Sequence, residues 1–395
     1  MATKQGPEGA RTAPAGEAVP GHSGKRARSV PWASLLLLAG TLLVVLIAAE
    51  IALGFTPYRH LTKPRTDYPP GYFVEDPELG VDLARNYPPA PFRMRGPAFD
   101  AFTNQWGCFD HDSPLPENYI LAVGDSSTWG YAPFEHTWLS QLEGMSERRI
   151  LKCGVSGTGP RYQALKARKV VDQIGHSPAV LLVLYDSWND LNDDVVFPGY
   201  GVISGYRGHT LKSLDLRTGD VDRHTREAFE RKYSRYVKRQ DAFDLRRFLV
   251  EHLTIAAMIS HAFEAPRNQH APSEGPTLER RYDFSLWKVD PDRFPWVNQA
   301  IGDHLDNLRQ LRGLASELGA ELVLITDGLP NQGLHRRLHN FLADEMPRHI
   351  DVGEAVQRAA EGRRIRHHHD THWNQLGNRL AAETLDRYLR ESGLL

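Results

Sequence analysis

The sequence predicts an α/β protein: a three-layer sandwich with a mainly parallel central sheet, preceded by one transmembrane helix and interrupted by a helical insertion. Three observations lead to this prediction: continuous apolar runs, helix-like patterns between them, and one long apolar segment near the N-terminus. Continuous runs of Val, Ile and Leu suit strands covered on both faces, and alternation of strand and helix implies right-handed crossovers. The predicted strands are 118–124, 149–155, 179–186 and 320–326. The predicted helices are 136–146, 159–174, 297–318 and 376–392.

The N-terminal region combines a polar tail with a long apolar segment. Residues 1–30 are rich in Gly, Pro, Ala and charge, so we expect a disordered tail. Residues 31–55 form the predicted transmembrane helix, in which Glu50 is the only ionisable side chain. Roughly 24 apolar residues, at about 1.5 Å each, can cross a hydrocarbon core of about 30 Å. A secretory signal peptide is the alternative, but its apolar region is shorter and ends in an A-x-A triplet, which this run lacks.

Basic residues flank the apolar segment unevenly. The closer and denser cluster lies on its N-terminal side, and the other lies further out beyond its C-terminal end. The positive-inside rule therefore predicts a cytoplasmic N-terminus and a main domain outside the cytoplasm. The two clusters are Lys25, Arg26 and Arg28, and Arg59, Lys63 and Arg65.

Composition argues against several classes of protein. The chain of 395 residues has a formal net charge of -2, which gives no reason to expect a nucleic-acid partner. Its two cysteines, Cys108 and Cys153, are too few for a disulfide framework or a thiolate metal site. Cys153 lies in a predicted core strand, which favours a buried thiol over a disulfide. A Cys108–Cys153 disulfide is the alternative if the domain is exported, because disulfides form in oxidising compartments.

The remainder of the chain divides into a lead-in and a main domain. Residues 56–117 contain many Pro, Gly and aromatic residues and are predicted to be a linker and an irregular lead-in. Residues 118–395 form the main predicted domain. The stretch from about 191 to 296 interrupts it, and the spacing of aromatic and leucine residues near its middle indicates helix. An insertion this long is typical of a lid or subdomain, so we expect it to determine substrate specificity.

Two distant segments carry groups suited to nucleophilic chemistry. Gly124-Asp125-Ser126 follows the first predicted strand, and the carboxyl ends of parallel strands are where such sheets form sites. Near the C-terminus, Asp370 precedes His372 by two residues. Together these segments supply a hydroxyl, a base and a carboxylate that orients the base. For the Gly-Asp-Ser triplet alone, an ordinary turn is the competing interpretation.

The next two predicted strand ends also carry candidate groups. Gly157 lies in a Gly-rich turn after the second strand, where a backbone amide can approach a reacting carbonyl closely. Asn189 follows the third strand, and its side-chain amide can donate to an oxyanion. A simple strand-to-helix loop is the alternative for Gly157, and a helix cap or Asx-turn is the alternative for Asn189. The lipase-type G-x-S-x-G elbow is absent from the sequence.

In order and spacing, these groups resemble the four motif blocks of the SGNH (GDSL-like) hydrolase superfamily. The resemblance implies a flavodoxin-like sandwich, with Ser126 as the nucleophile, His372 as the general base and Asp370 as the group that orients His372. It also implies an oxyanion hole formed by the backbone amides of Ser126 and Gly157 and the side chain of Asn189. It implies no cofactor and no metal.

The C-terminal block resembles one branch of that superfamily in particular. Many members have the spacing D-x-x-H, whereas this chain has the compact form Asp370-Thr371-His372-Trp373. This D-x-H-W form is similar to that of the alginate O-acetyltransferases and related cell-surface enzymes. The resemblance therefore implies a membrane-anchored bacterial protein whose catalytic domain lies outside the cytoplasmic membrane.

Two further positions depart from the superfamily pattern, and a histidine run lies beside the C-terminal block. Lys152 stands where an Asn often precedes the second block, and Ser187 replaces the Gly that usually precedes Trp188-Asn189. The histidine run 367–369 raises a metal site as a competing interpretation, but no second cluster with ligand spacing completes it.

The sequence leaves three functions open. The first is an ester hydrolase that acts through an acyl-serine on an acylated carbohydrate or lipid. The second is an O-acetyltransferase that acts on a cell-surface polysaccharide. The third, a non-catalytic carbohydrate-binding protein, is disfavoured because every triad and oxyanion position is filled.

Overall fold

The structure is a computed structural model that describes an apolar N-terminal helix and an α/β domain. The described residues are 32–62, 68–69, 71–92, 99–187, 189–195, 201–203, 206–208, 212–214, 221–223, 245–269, 290–329, 333–367 and 371–395. The chain divides into two compact units, Met1–Ala52 and Leu53–Leu395. Helix α1 (Trp32–Gly54) contains all of the first unit's described residues and is long and apolar enough to cross a membrane.

The other elements follow in chain order. The strands are β1 (Phe73–Asp76), β2 (Gly80–Leu83), β3 (Ala90–Phe92), β4 (Phe99–Ala101), β5 (Ile120–Gly124), β6 (Ile150–Lys152), β7 (Val180–Tyr185), β8 (Gly201–Ile203), β9 (Tyr206–Gly208), β10 (Lys212–Leu214), β11 (Val221–Arg223), β12 (Glu321–Thr326) and β13 (His349–Asp351). The helices after α1 are α2 (Ser126–Trp129), α3 (Trp138–Ser146), α4 (Pro160–Ile174), α5 (Asp190–Val195), α6 (Leu245–His252), α7 (Thr254–Gln269), α8 (Pro295–Leu318), α9 (Gly333–Glu345), α10 (Gly353–Ala359) and α11 (Gln375–Glu391).

A five-stranded parallel sheet forms the centre of the α/β domain and confirms the predicted fold class. The strands lie in the order β13-β12-β7-β5-β6, and every neighbouring pair is parallel. This is the doubly wound order of flavodoxin-like sheets, in which the strand order reverses at the gap between β5 and β7. Ligand sites form beyond the carboxyl ends of the strands at such a gap, so the topology places Ser126 and Asn189 at that point.

Helices cover both faces of the sheet because the strands are apolar on both faces. On β5, Leu121 and Val123 pack into one buried cluster, while Ile120 and Ala122 pack into the other. Helices α4, α8 and α9 contribute to the first cluster, and α3, α10 and α11 contribute to the second. This explains the continuous apolar runs, since a strand with only one buried face would alternate.

The lead-in has more regular structure than the sequence analysis expects. Strands β1 and β2 pair antiparallel, and β3 pairs antiparallel with β4. Their aromatic side chains form a third buried cluster that also includes Trp129 and Tyr131, just beyond Ser126. Strands of three or four residues are too short to show a recognisable alternation of apolar and polar residues. Their sequence therefore looks like that of an irregular segment.

The preference for a buried Cys153 thiol is wrong, because Cys153 forms a disulfide with Cys108. Both side chains are buried, as expected of a core position, but the loop before β5 brings Cys108 next to the end of β6. Burial and pairing are therefore compatible here. Cys108 and Cys153 are 45 residues apart in the sequence, and only the tertiary fold brings them together.

The insertion contains helices in its described part. Helices α6 and α7 occupy 245–269, and α7 packs against the short 3-10 helix Pro57–Leu61. Two antiparallel strand pairs, β8 with β9 and β10 with β11, precede these helices. Much of the predicted helical stretch, 224–244, lies outside the described residues.

Candidate active site

A tight turn at the end of β5 presents Ser126. A Cβ atom on Gly124 would lie 1.9 Å from Thr128 Oγ1, so only glycine allows this close return of the chain. Asp125 then caps the short helix α2, accepting a hydrogen bond from the Ser127 amide at 2.8 Å. The Ser126 side chain is left at the carboxyl edge of the sheet, largely enclosed at 8% exposure.

The loop before α11 places His372 against Ser126. His372 Nε2 lies 2.7 Å from Ser126 Oγ, a hydrogen-bonding distance for a hydroxyl and the base that removes its proton. Ser126 Oγ also lies 3.3 Å from Asp125 Oδ2, a longer and weaker contact. The structure therefore brings together the predicted nucleophile and the predicted base.

Backbone pairing around His372 fixes the position of its loop. Arg366 and Trp373 form an antiparallel bridge, and the His367 amide donates to the His372 carbonyl at 3.1 Å. The Arg366 guanidinium also donates to Asp327 at the end of β12, at 2.6 Å. The loop is thus attached to the same sheet edge that carries Ser126. Asp370, the predicted orienting carboxylate, lies outside the described residues, so its role stays a prediction.

Asn189 lies at the site but donates to carboxylates. Its amide nitrogen lies 3.1 Å from Asp125 Oδ2 and 3.0 Å from Asp193 Oδ2. Within the described part of the chain, its side-chain oxygen is buried without a hydrogen-bond partner. Both amide hydrogens have a carboxylate partner in this arrangement, so donation to an oxyanion requires Asn189 to release one of them.

Gly157 lies in the bend after β6, on the side of the site next to β5. It adopts a left-handed backbone with a φ of 66°, which suits glycine. The preceding residue, Ser156, lies with its hydroxyl 3.4 Å from the Tyr131 hydroxyl. The bend therefore borders the residues around Ser126, and its part in an oxyanion hole stays a prediction.

Several Asp side chains lie close together where the sheet strands end, and burial together with this crowding raises the pKa of two of them. Burial and the nearby Asp186 carboxylate raise the pKa of Asp125 to about 7, although His372 and the hydrogen bonds from Ser127 and Asn189 oppose the shift. Burial, followed by the charge of Asp125, raises the pKa of Asp190 well above its ordinary value. The residue before Ser126 is therefore a carboxyl group that gains a proton easily in this enclosed setting.

Tyr131 was not predicted as a site residue, yet its ring stacks on His372. The two ring centroids are 4.0 Å apart, with an interplanar angle of 17°. The Tyr131 hydroxyl lies 2.7 Å from the Tyr68 hydroxyl, in the lead-in. The sequence offers a weak signal at most, since an aromatic residue five positions after Ser126 fits an ordinary core residue equally well.

Lys152 and Ser187, the two residues that depart from the superfamily pattern, each contact other side chains in the structure. Lys152 Nζ is buried near Glu143 and lies 3.4 Å from Asp110, so it belongs to an ion-pair cluster. The carbonyl of Ser187 lies 3.0 Å from the ring nitrogen Nε2 of buried His335, which holds the loop that leads to Asn189. Among the described residues, no group of three His, Cys, Asp or Glu side chains is arranged to hold a metal ion.

Comparison with known proteins gives likenesses only among solved structures. No family model and no curated protein matches the chain. A member of the lipolytic protein G-D-S-L family from Veillonella parvula is 13% identical, with a TM-score of 0.33, over 69% of this chain and 96% of its own. The psychrotrophic esterase EstA from a Pseudoalteromonas species is 9% identical, with a TM-score of 0.35, over 70% of this chain and 98% of its own. An acetyl xylan esterase from the rumen bacterium Butyrivibrio proteoclasticus is 10% identical, with a TM-score of 0.32, over 77% of this chain and 68% of its own.

Proposed function

We propose that this protein is a serine-dependent ester hydrolase that removes acyl groups from a carbohydrate or a lipid. The observation that carries the proposal is the 2.7 Å contact between Ser126 Oγ and His372 Nε2 at the switch point of the sheet. A serine hydroxyl within hydrogen-bonding distance of an imidazole nitrogen, at a largely enclosed edge of a parallel sheet, is the arrangement of an activated serine nucleophile.

The reaction begins with transfer of the Ser126 proton to His372 Nε2. Ser126 Oγ then attacks the ester carbonyl carbon, and the carbonyl oxygen becomes an oxyanion. His372 gives the proton to the departing alcohol oxygen, which leaves an acyl group on Ser126. Water, deprotonated by His372, attacks the acyl carbon and releases the acid, and Ser126 recovers its proton.

Other groups in the proposal support this cycle. Asp370 would accept from His372 Nδ1 and stabilise the imidazolium. The amides of Ser126 and Gly157 and the side chain of Asn189 would donate to the oxyanion, each with an effect of about 3 kcal/mol on the transition state. Because Asn189 contacts Asp125 and Asp193, its contribution requires that one carboxylate contact be exchanged for the oxyanion.

An O-acetyltransferase is the second candidate function. It uses the same acyl-serine, but a hydroxyl of a cell-surface polysaccharide replaces water in the second step. The sequence of the C-terminal block, Asp370-Thr371-His372-Trp373, favours this candidate through its resemblance to the alginate O-acetyltransferase branch.

We also propose that α1 anchors the catalytic domain outside the cytoplasmic membrane of a bacterium. The 23 residues of α1 are sufficient to span a bilayer, and the basic cluster before it favours a cytoplasmic N-terminus. The Cys108–Cys153 disulfide supports this location, since such bridges persist in oxidising compartments. A signal sequence would export the same domain without anchoring it.

Hydrolysis of p-nitrophenyl acetate by the detergent-solubilised full chain tests the proposal. We expect turnover by the wild type, loss of turnover in Ser126→Ala, and near-normal turnover in the matched variant Ser127→Ala. Equal turnover in wild type and Ser126→Ala contradicts the proposal. An added polysaccharide acceptor separates the two candidates: acetyl transfer to the acceptor in preference to water favours the transferase.

A further inference from the structure

One face of the His372 ring rests on Tyr131. The centroids are 4.0 Å apart and the rings are nearly parallel, at 17°. Among the described residues, the neighbours of the His372 ring include the Ser126 hydroxyl at Nε2 and the aromatic ring of Tyr131 stacked against its face. Such a stack limits rotation of the imidazole, and an aromatic face attracts a cation.

The position of Tyr131 is itself tightly determined. Its backbone has a φ of 36°, a value that bulky residues rarely adopt, and its side chain is only 7% exposed. Such a conformation persists where the surroundings fix it. Trp129 packs edge-on against the ring at 5.3 Å.

Tyr68 holds the far end of the Tyr131 side chain. The two hydroxyls are 2.7 Å apart, and the Tyr68 ring packs against Phe73 at 4.7 Å and Phe92 at 4.9 Å. These partners belong to the hairpins of the lead-in, which form one buried aromatic cluster with Trp129. A continuous series of contacts therefore runs from the lead-in through Tyr68 and Tyr131 to His372.

We infer that Tyr131 is a positioning residue for the general base His372 and that Tyr68 fixes Tyr131 in that role. The inference rests on the proposed function, because it assigns a purpose to the stack only if His372 accepts the Ser126 proton. In the wild type the stack holds Nε2 toward Ser126 and favours the imidazolium that forms during attack. The lead-in is then a part of the active site.

Charged groups also lie on the elements around His372. From the β5 end, the Asp125 carboxylate interacts electrostatically with His372. From the loop, Arg366 directs its guanidinium to Asp327 and to the Thr371 carbonyl. The substitutions that test the stack leave Asp125, Arg366 and Asp327 in place, so a change in the pH profile reports on the tyrosines.

The rate of fluorophosphonate labelling of the full chain, measured across pH, tests the inference. Tyr131→Leu removes the aromatic face, and we expect labelling about 10-fold slower and an acidic limb shifted down by roughly half to one pH unit. Tyr131→Phe and Tyr68→Phe keep the ring of Tyr131 but remove one hydroxyl of the pair. We expect smaller decreases in rate for these variants, and the double variant should be no slower than either single variant. Tyr119→Phe is the matched control, because the Tyr119 hydroxyl donates to the His176 carbonyl at 3.2 Å, away from the site.

Different outcomes separate failure of this inference from failure of the proposed function. Wild-type rates and pH profiles in all three Tyr131 and Tyr68 variants overturn the positioning role. If Tyr131→Leu does not fold, as judged by its thermal midpoint, the two phenylalanine variants and their double variant decide the outcome. Labelling that persists in Ser126→Ala overturns the assigned nucleophile instead.

Discussion

His372 Nε2 lies 2.7 Å from Ser126 Oγ, although 246 residues separate the two along the chain. The contact forms because β5 ends at the switch point of the sheet and the segment that carries His372 is attached to the same edge. The Arg366 contact with Asp327 and the bridge between Arg366 and Trp373 hold that loop. The contact between Ser126 and His372 therefore depends on both the strand order and the final loop.

His372→Ala removes the proposed base. We expect turnover of p-nitrophenyl acetate to fall by about 10³-fold or more, since removing one member of such a unit abolishes most of its effect. The fold should persist, because the imidazole lies in a loop and not in the core. His136→Ala, which alters a histidine on the 3-10 helix Phe134–His136, is the control and should retain activity. Equal losses in both variants would indicate unfolding and would contradict a specific role for His372.

Asp125 makes the stability of the fold depend on pH. Its pKa is raised from 3.8 to about 7, so the folded state binds more protons than the unfolded state between these values. Stability contributed by the protonated form is therefore present below about pH 4 and lost as pH rises through about 7. We expect the thermal midpoint of the wild type to fall relative to that of Asp125→Asn as pH rises through this window. The exposed Asp303→Asn is the control, and parallel pH dependence in all three proteins would contradict the prediction.

The sequence places two candidate site residues at strand ends, where residue type and position are both informative. Ser126 follows a continuous apolar run, and Asn189 follows another, so parallel pairing was sufficient to bring both to one edge. The pairing of Ser126 with His372 also followed from chemistry, since a hydroxyl nucleophile requires a base. Asp370 lies outside the described residues and stays a prediction.

Features that depend on tertiary contact leave no recognisable pattern in the sequence. Strand β13 has three residues with partial burial and produces no apolar run. The Cys108–Cys153 bridge and the stack of Tyr131 on His372 join segments that no periodicity connects. The donation of Asn189 to both Asp125 and Asp193 likewise depends on side-chain geometry that spacing does not determine.

The Cys108–Cys153 disulfide should stabilise the α/β domain. It closes a loop between residues 45 apart, for which loss of unfolded-state entropy corresponds to about 3–4 kcal/mol. We expect reductant to lower the midpoint of urea unfolding in the wild type. The double variant Cys108→Ala/Cys153→Ala should start at the lower midpoint and be insensitive to reductant. An unchanged wild-type midpoint under reducing conditions would be inconsistent with a stabilising bridge.

Gly124→Ala should disrupt the turn that presents Ser126. The added Cβ would lie 1.9 Å from Thr128 Oγ1 and 3.0 Å from the Leu184 carbonyl oxygen, so the chain on one side must move. We expect a loss of activity together with a loss of stability of about 1–3 kcal/mol, as for overpacked sites. Gly144→Ala is the matched control, because a Cβ there meets nothing within 4 Å. In helix α3 that change should stabilise the fold by about 0.5–1 kcal/mol. Similar effects of the two substitutions would refute the steric argument.

Mass spectrometry of the fluorophosphonate-labelled full chain tests most directly whether Ser126 is the nucleophile. We predict a single phosphonate adduct on the peptide that contains Ser126 and Ser127, with fragmentation assigning the added mass to Ser126. The adduct should persist in Ser127→Ala and disappear in Ser126→Ala. An adduct on Ser127 or on any other residue, or labelling that survives Ser126→Ala, would contradict the assignment.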